Sequence, residues 1–304
     1  MRLFHFILIA FLLISCSDNT IGINEAKPVA IRGKTITIAI LPEQNVFEQK
    51  KRYKPLAAYL SDALNANVKI KLLDGYGSIY DEIKNRTIDG AFFASFNYVL
   101  TKARAEIEPI ARPVGMDGDA SYKVVIFTRR DTGLTEDVRT WKGRKAAFVH
   151  EATMAGYVFP SWHLKKHGIG SLERHFKKII YIGSHDAVIL SVFKGEAEIG
   201  AAKDLILKRL LSENPAIKEE IVILASSPSV PSSTFCVRGD LAGGTKERLK
   251  KALLSMHGDD SGKAALQILK ASKFIVTSDS EFDMLRQMVK DAGVDFKTSP
   301  FRGR

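Results

Sequence analysis

The chain has 304 residues, of which 45% are hydrophobic and 26% are charged, so it is long and apolar enough for one or two globular cores and far from the composition of a disordered chain. The formal net charge is +11, which suits a negatively charged partner, but the Lys and Arg residues are scattered. The densest basic stretch, residues 165–178, is predicted to be a solvated surface, with a nucleic-acid or lipid patch as the alternative. No RNA-binding aromatic motif, zinc-finger spacing or basic heptad is present, so we predict no nucleic-acid partner.

The N-terminus has the pattern of a lipoprotein signal peptide. Arg2 precedes an uninterrupted apolar run at 6–14, which is too short for a permanent membrane span but typical of a signal-peptide core. The residues LISC that follow resemble the bacterial lipobox, in which the cysteine is acylated after cleavage. We therefore predict a signal peptide at 1–15, a lipidated Cys16, and a polar tether at 16–34, with ordinary secretion and an incidental Cys16 as the alternative.

Strand-like and helix-like segments alternate along the rest of the chain, which predicts an α/β fold. ITIAIL (36–41) is expected to be a buried strand, and YKPLAAYLSDALNA (53–66) a helix with Pro55 in its first turn. The part of the chain from Thr245 onwards predicts two or three helices. Further strands are predicted at 68–73, 89–95, 109–114, 121–130, 146–149, 177–183, 197–204, 220–227 and 233–239.

Enzyme and metal motifs are not found in the sequence. GDLAGGTK (239–246) departs from a phosphate-binding P-loop because its Lys is displaced, and a helix start capped by Thr245 explains it better. There is no G-x-S-x-G, H-E-x-x-H or C-x-x-C, and the seven His residues lack metal-ligand spacing. We predict no enzyme, no cofactor and no metal; catalysis would require an activated Cys236 or His185. Cys236 is predicted to be a buried structural thiol, with a reactive thiol as the alternative.

Three predicted strand ends in the second half of the chain carry polar residues. Thr153 follows the strand AAFV, Ser184-His185-Asp186 follow KKIIYIG, and Asp204 ends AEIGAAKD. Thr153 and Ser184 suit helix N-caps, which place free backbone N–H groups at the ends of strands, where α/β proteins bind ligands. Each feature alone is a routine helix cap, but the three together predict a binding site.

Over residues 36–290 the sequence resembles the PhnD-like periplasmic substrate-binding proteins for phosphate, phosphite and phosphonates. The resemblance is carried, in the same order, by YKPLAAYLSDAL, GYGSIYDEIKNRTIDGAFFASFNYVLTKARA, SYKVVIFTRRDTGL, TWKGRKAAFVHEATMAGYVFP, IGSHDAVILSVFKGEAEIGAAKD and SSPSVPSSTFCVRGDL. It implies the two-lobed type II periplasmic binding protein fold, with two hinge crossovers and a central ligand cleft. We place the first lobe at 35–128 and 229–304 and the inserted second lobe at 129–228; one doubly wound sheet would give the same alternation.

The resemblance also implies ligand-binding residues in both lobes. Tyr76, Tyr98 and Tyr122 match tyrosines of the family that contact the ligand, and a tyrosine hydroxyl donates well to an oxyanion. His185 and Asp204 match ligand contacts in the second lobe. The carboxylate would accept a hydrogen bond from a protonated ligand oxygen or an amine and would repel a fully ionised ligand. The lysine beside it, at position 203, either faces outwards or adds a positive charge to the cleft.

The turn at 153–156 departs from the family. Typical members carry Ser-Thr-Ser-Gly here, whereas this chain has Thr153, Met154, Ala155 and Gly156, so one hydroxyl remains and two are replaced. Each lost hydrogen bond to a charged ligand costs about 1.5–3 kcal/mol. The helix N-terminus and its N–H groups remain. The turn therefore supports the family's cleft and predicts a change in how it holds the family's usual ligand.

These features predict a lipid-anchored extracytoplasmic binding protein that captures a small oxyanion for an ABC importer by closure of two lobes. The oxyanion is of the phosphonate, phosphite or phosphate class, and the partner is the transporter permease. The protein is expected to be a monomer in the cell envelope, facing the periplasm or the cell exterior and held to the membrane by its N-terminal lipid. The alternative is a lipoprotein that senses another ligand and signals to a membrane sensor or envelope partner.

Overall fold

The computed structural model of the protein describes residues 34–294. The predicted signal peptide, the acylation site Cys16 and nearly all of the tether lie outside these residues, as do residues 295–304. Within the described part, two β-sheets of six and five strands are flanked by helices, and a two-stranded ribbon accompanies them. The predicted α/β class is confirmed.

The strands and helices follow the chain in this order. The strands are β1 (Thr35–Ile40), β2 (Asn67–Leu72), β3 (Gly90–Phe93), β4 (Ile107–Gly115), β5 (Ser121–Tyr122), β6 (Val124–Arg129), β7 (Lys145–Phe148), β8 (Lys178–Tyr181), β9 (Ile199–Lys203), β10 (Ile221–Ser226), β11 (Val230–Pro231), β12 (Thr234–Arg238) and β13 (Ala271–Ile275). The α-helices are α1 (Val46–Leu64), α2 (Ile79–Lys84), α3 (Ser95–Lys102), α4 (Phe159–Lys166), α5 (Leu172–His175), α6 (His185–Phe193), α7 (Asp204–Glu213), α8 (Pro215–Glu220), α9 (Gly243–Ser255), α10 (Asp260–Leu269) and α11 (Asp283–Asp291).

The first sheet has the strand order β13-β4-β12-β3-β1-β2. β1 runs parallel to β2 and β3, whereas β12 runs antiparallel to β3 and β4. Residues of α1, α9 and α10 share one buried core with this sheet, in which Ile38, Leu60 and Leu253 are fully buried. Because β1 and β3 are parallel, their carboxyl ends lie at the same edge of the sheet.

The second sheet has the strand order β10-β6-β9-β7-β8. β7 runs parallel to both β8 and β9, while β6 runs antiparallel to β9. The carboxyl ends of β7, β8 and β9 therefore meet at one edge, as the polar residues after the predicted strands indicated. Thr153, Ser184 and Asp204 follow these three strand ends.

The chain passes between the sheets beside the ribbon of β5 and β11, where Tyr122 pairs with Val230 and Ser121 with Pro231. β6 begins at Val124 and already pairs with β9 of the second sheet. The return follows β10 and reaches the first sheet at β12. The predicted lobe boundaries stay predictions, and the pairing of β6 favours a first boundary at the ribbon, a few residues before 128.

The placement of Pro55 in a first helical turn was wrong. α1 begins at Val46, and Pro55 lies inside it. The Asn45 side chain caps this helix by accepting hydrogen bonds from the backbone N–H groups of Phe47 (3.0 Å) and Glu48 (3.3 Å). The sequence argument used the preference of proline for the first turn and overlooked the asparagine N-cap upstream.

Within residues 34–294, the C-terminal part contains the three helices α9, α10 and α11, which confirms the predicted two or three helices, and also the strand β13, which was not predicted. β13 is a short strand at the edge of the first sheet, next to β4. Its buried and exposed residues do not alternate regularly, so its sequence lacks the pattern that predicts a strand. Thr245 is not the N-cap of α9, which begins at Gly243 after Ala242. Cys236 is fully buried in β12, as predicted. Among the helices of residues 34–294, none has both the length and the apolar character that a membrane span needs.

Candidate functional site

The candidate site lies where strand ends of the two sheets face each other. The Lys203 ammonium, at the end of β9, contacts the carboxylate of Glu43, in the loop after β1 (Nζ–Oε1, 2.7 Å). The backbone N–H of His185 donates to the carbonyl oxygen of Glu43 (3.2 Å). The rings of Tyr76 and His150, one from each sheet's side, have centroids 5.6 Å apart. These contacts join the two halves of the molecule around a polar centre.

The Glu43–Lys203 ion pair is well enclosed, with side chains 16% and 8% exposed. Lys203 Nζ also lies 4.8 Å from the centroid of the Tyr122 ring, in cation–π geometry. The Ser233 hydroxyl donates to the same Glu43 oxygen that Lys203 contacts (3.1 Å). Of the two alternatives for Lys203, the structure supports the positive charge in the cleft.

The negative charge of Glu43 is stabilised by its surroundings. Burial by itself would raise the pKa of the Glu43 carboxyl, but attraction to Lys203 and His185, with hydrogen bonds from Lys203 and Ser233, outweighs burial and lowers that pKa. Glu43 is therefore ionised at neutral pH. The Glu43 carboxylate and the Lys203 ammonium are thus in contact in the cleft.

Tyr76 is almost completely buried, at 1% exposure, and its hydroxyl has no hydrogen-bond partner among residues 34–294. Its carbonyl oxygen accepts a hydrogen bond from the Asn97 side chain (3.0 Å), which holds the backbone in place. Burial, and then the nearby Glu43 charge, raise the pKa of Tyr76 well above its ordinary value. The hydroxyl keeps its proton and is free to donate it.

Tyr122, in the ribbon, is the second tyrosine at this centre. It is buried, and its hydroxyl lies 3.3 Å from the Ser95 hydroxyl, which also donates to the carbonyl oxygen of Pro231 (2.5 Å). Burial raises the pKa of Tyr122. Tyr122 also contributes to the raised pKa of Tyr76, so the structure brings these two residues near one another, and their contact with a ligand stays a prediction.

Two predicted site residues have their polar atoms engaged elsewhere. The Tyr98 hydroxyl donates to Asp279 (2.5 Å) and its ring packs on Phe282, with centroids 4.2 Å apart, so the structure does not bring it to the ion pair. Asp204 accepts from the backbone N–H of Lys123 (3.0 Å) and from Lys208 Nζ (3.1 Å). Asp204 therefore fixes the end of β9 to the residue between β5 and β6, with one partner for each carboxylate oxygen.

The turn after β7 uses its remaining hydroxyl internally. The Thr153 hydroxyl donates to the carbonyl oxygen of His150 (2.7 Å) and accepts from the N–H of Gly156 (2.8 Å). A π-helical turn, Met154–Val158, then leads into α4. The N–H groups of Met154 and Ala155 begin this helix and have no earlier helical carbonyl to bond. Any anion held here is held by backbone N–H groups and not by the Thr153 side chain.

His185 connects the ion pair to α6. Its Nδ1 accepts a hydrogen bond from the backbone N–H of Lys203 (3.2 Å), which places the ring proton on Nε2. Burial, and then repulsion from Lys203, lower the pKa of His185 to about 3. The imidazole is neutral at neutral pH and acts as a hydrogen-bonding support for the backbone of Lys203.

This depressed pKa predicts acid sensitivity. In the unfolded chain His185 gains a proton below pH 6.5, whereas in the folded protein it stays neutral down to about pH 3. The unfolded state therefore binds more protons in this window, and the free energy of unfolding falls as pH falls, by about 1.4 kcal/mol per pH unit from this residue. Urea unfolding of the wild type and His185→Gln at pH 7, 6 and 5 measures the difference. Equal slopes for the two proteins would contradict the assignment.

Sequence reasoning did not identify Glu43, Ser95 or Ser233 as site residues. Glu43 and Ser95 follow β1 and β3, two parallel strands whose ends reach the same edge. A polar residue just after a buried parallel strand is the signal that identifies such positions. The polar strand ends predicted to form a site all belong to β7, β8 and β9 of the second sheet.

Comparison with known proteins gives a consistent result. Residues 38–282 match the family described as "ABC transporter, phosphonate, periplasmic substrate-binding protein". The phosphate-import protein PhnD of Mycolicibacterium smegmatis is 23% identical over 252 residues, covering 80% of this chain and 77% of that protein. The probable ABC transporter phosphite binding protein PhnD1 of Prochlorococcus marinus is 23% identical over 274 residues, covering 86% of this chain and 91% of that protein.

A solved structure supports the fold. PhnD1 of Prochlorococcus marinus, in complex with methylphosphonate, superimposes with a TM-score of 0.76 at 22% identity, covering 86% of this chain and 98% of that chain. The predicted two-lobed type II periplasmic binding protein fold is thereby confirmed.

Proposed function

The chain belongs to the family of periplasmic substrate-binding proteins of phosphonate ABC transporters, and on that premise we propose that it binds a small phosphorus oxyanion between its sheets for delivery to a membrane permease. The class of ligand is phosphonate, phosphite or phosphate. The observation that carries the proposal is the buried Lys203, paired with Glu43, together with the buried Tyr76 hydroxyl, which has no hydrogen-bond partner among residues 34–294. A positive group and unused donors in a shielded cleft suit an anion.

The proposed ligand contacts come from both sheets. Tyr76 and Tyr122 donate from the first sheet's side, and the N–H groups of Met154 and Ala155 donate from the start of the helix after β7. Two neutral hydroxyl donors of the family's turn are missing here, and we propose that the charged ammonium of Lys203 takes their place. A ligand that contacts both sides stabilises the closed arrangement over an open one, which is how closure would signal occupancy to the permease.

The remaining features of the proposal concern location and assembly. The family is the substrate-binding component of a transporter, and we propose that this chain is likewise a binder and not an enzyme. We propose that it is extracytoplasmic, that acylation of Cys16 anchors it to a membrane, and that it acts as a monomer. The lipobox resemblance of LISC supports the anchor.

Tyr76→Phe tests the proposed donor. Removing a buried hydroxyl that has no partner leaves the free energy of unfolding unchanged, or raises it by about 1 kcal/mol, in the absence of ligand. Removing a donor to a charged ligand is expected to weaken binding by about tenfold or more. Thermal unfolding without ligand and calorimetric titration with phosphite measure both effects. A stability loss with unchanged affinity would contradict the proposed role.

A thermal-shift screen tests the proposed function. The protein is heated with phosphate, phosphite, methylphosphonate, aminoethylphosphonate, sulfate or arsenite, each in excess. A ligand at one hundred times its Kd adds about 2.7 kcal/mol to stability. We expect at least one phosphorus oxyanion to raise the melting temperature clearly. If none does, the proposal is wrong.

A further inference from the structure

We propose that Glu43 selects the protonation state of the ligand, so that the cleft accepts an oxyanion that still carries a proton and rejects a fully ionised one. This inference rests on the proposed function and adds the chemical form of its ligand. It also assigns the selecting role to a residue outside the set that the family resemblance implied.

The geometry leaves one acceptor of Glu43 unused. Both hydrogen bonds to its carboxylate, from Lys203 Nζ (2.7 Å) and the Ser233 hydroxyl (3.1 Å), end on Oε1. Within residues 34–294, Oε2 accepts no hydrogen bond. The Tyr76 hydroxyl is the complementary case, a buried donor without an acceptor in the same part of the chain. The Glu43 charge contributes to the raised pKa of Tyr76, so the two groups influence each other. An unused acceptor and an unused donor fit a ligand that has both a negatively charged oxygen and an O–H group.

The charges favour the same ligand. A fully ionised oxyanion would bring two negative charges next to the Glu43 carboxylate, against the single positive charge of Lys203. A singly protonated oxyanion brings one negative charge, so its net charge together with Glu43 and Lys203 is −1 and not the −2 of a fully ionised ligand. The O–H group of the protonated ligand donates to Oε2. Discrimination by an unpaired buried charge is a common means of specificity.

Asp204, the acidic residue implied by the resemblance, is less suited to this role. Its two oxygens already accept from Lys123 N–H and Lys208 Nζ. Glu43 has the free oxygen, the contact with Lys203, and a charge that contributes to the raised pKa of Tyr76. The selecting carboxylate therefore comes from the first sheet and not from the second.

His185 and the tyrosines around Glu43 keep their neutral forms in the relevant pH range. His185 stays neutral down to about pH 3, and burial raises the pKa of each tyrosine. Above pH 5 the ligand's own second ionisation is therefore the main variable. The titratable or charged groups that face Glu43 are Lys203 of β9, His185 and Asp186 of α6, Tyr53 of α1, Tyr76 before α2 and Tyr122 of β5.

The test is calorimetric titration of the intact protein with methylphosphonate, phosphite, phosphate and sulfate at several pH values between about 5.5 and 9. Sulfate carries no proton in this range. If only the protonated form binds, the apparent Kd of a phosphorus oxyanion rises about tenfold per pH unit above its second pKa, as the competent fraction falls. Sulfate is expected to bind at least about a hundredfold more weakly.

Glu43→Gln removes the charge and adds an N–H donor. We expect its affinity for phosphorus oxyanions to change less than about threefold across the pH series, and its affinity for sulfate to rise at least about tenfold. Glu196→Gln, an exposed residue after α6, makes the same change of charge away from the site and should behave like the wild type. Thermal unfolding verifies that both variants are folded.

The outcomes separate this inference from the proposed function. If the wild type binds phosphorus oxyanions with the same affinity at every pH, or if Glu43→Gln keeps the wild-type pH slope and sulfate discrimination, this inference is wrong and the proposed function stands. If the wild type binds none of the phosphorus oxyanions, both are wrong. The pH dependence of the wild-type Kd tests this inference even if Glu43→Gln does not fold.

Discussion

Lys203→Met is expected to weaken the binding of phosphite and methylphosphonate by at least about a hundredfold. Lys203 is the cation in direct contact with the cleft carboxylate, and its side chain is 8% exposed. The substitution also leaves Glu43 without its charge partner, and breaking a buried pair on one side costs about 3 kcal/mol of stability. Calorimetric titration measures the affinity, and urea unfolding measures the stability.

A double variant separates the two effects. Replacing both members of a buried ion pair by apolar residues is often neutral for stability, since neither charge is left unpaired. Lys203→Met combined with Glu43→Leu should therefore recover most of the lost stability while binding stays lost. If Lys203→Met keeps the wild-type affinity, Lys203 does not contact the ligand, and the charge assigned to the cleft must come from another residue.

Gly156→Ala is expected to lower the free energy of unfolding by about 2–3 kcal/mol and to abolish measurable oxyanion binding. A Cβ atom at this position would lie 2.0 Å from the carbonyl oxygen of His150 and 2.7 Å from the Thr153 hydroxyl. The turn would have to move, and with it the N–H groups of Met154 and Ala155. Loss of binding is expected because those N–H groups are proposed to face the ligand.

Gly170→Ala is the matched control. No atom lies within 4 Å of a Cβ built at Gly170, so the same change there should alter stability by less than about 0.5 kcal/mol. Chemical unfolding and calorimetric titration of both variants make the comparison. Should Gly156→Ala be as stable as the wild type and bind phosphite normally, the close packing of the turn is not what shapes the site.

Much of the fold was predictable because its signals are local. The alternation of strands and helices, and the polar residues at three strand ends, follow from periodicity and capping preferences that a single sequence contains. Thr153 and Ser184 do lie at helix N-caps, and Cys236 is buried. β13 was not predicted because a partly exposed edge strand has little apolar pattern in its sequence.

The site was less predictable because its decisive contacts are distant in sequence. Glu43 and Lys203 are separated by 160 positions, and no local pattern pairs them. The hydroxyl of Thr153 was interpreted as a ligand contact, but a cap residue at this turn has its own N–H and carbonyl to satisfy. Likewise, whether Tyr98 faces the cleft or Asp279 depends on how α11 packs against α3, which becomes visible only in three dimensions.

These contacts change how the altered turn is understood. The sequence suggested that two lost hydroxyls weaken the grip on an oxyanion. In the structure the retained hydroxyl of Thr153 serves the turn itself, and a buried lysine stands nearby at the end of β9. The proposed site therefore relies on a fixed charge and backbone N–H groups where the family pattern has side-chain hydroxyls.

Calorimetric titration of the intact protein with methylphosphonate, phosphite and phosphate near pH 6 tests the central claim most directly. The account predicts that at least one of the three binds with one-to-one stoichiometry and a Kd of about 10 µM or below. It also predicts that Lys203→Met and Glu43→Leu together, folded to the same extent, show no binding of that ligand. Folded wild-type protein that binds none of the three at millimolar concentration, or a double variant that binds as the wild type does, would contradict it.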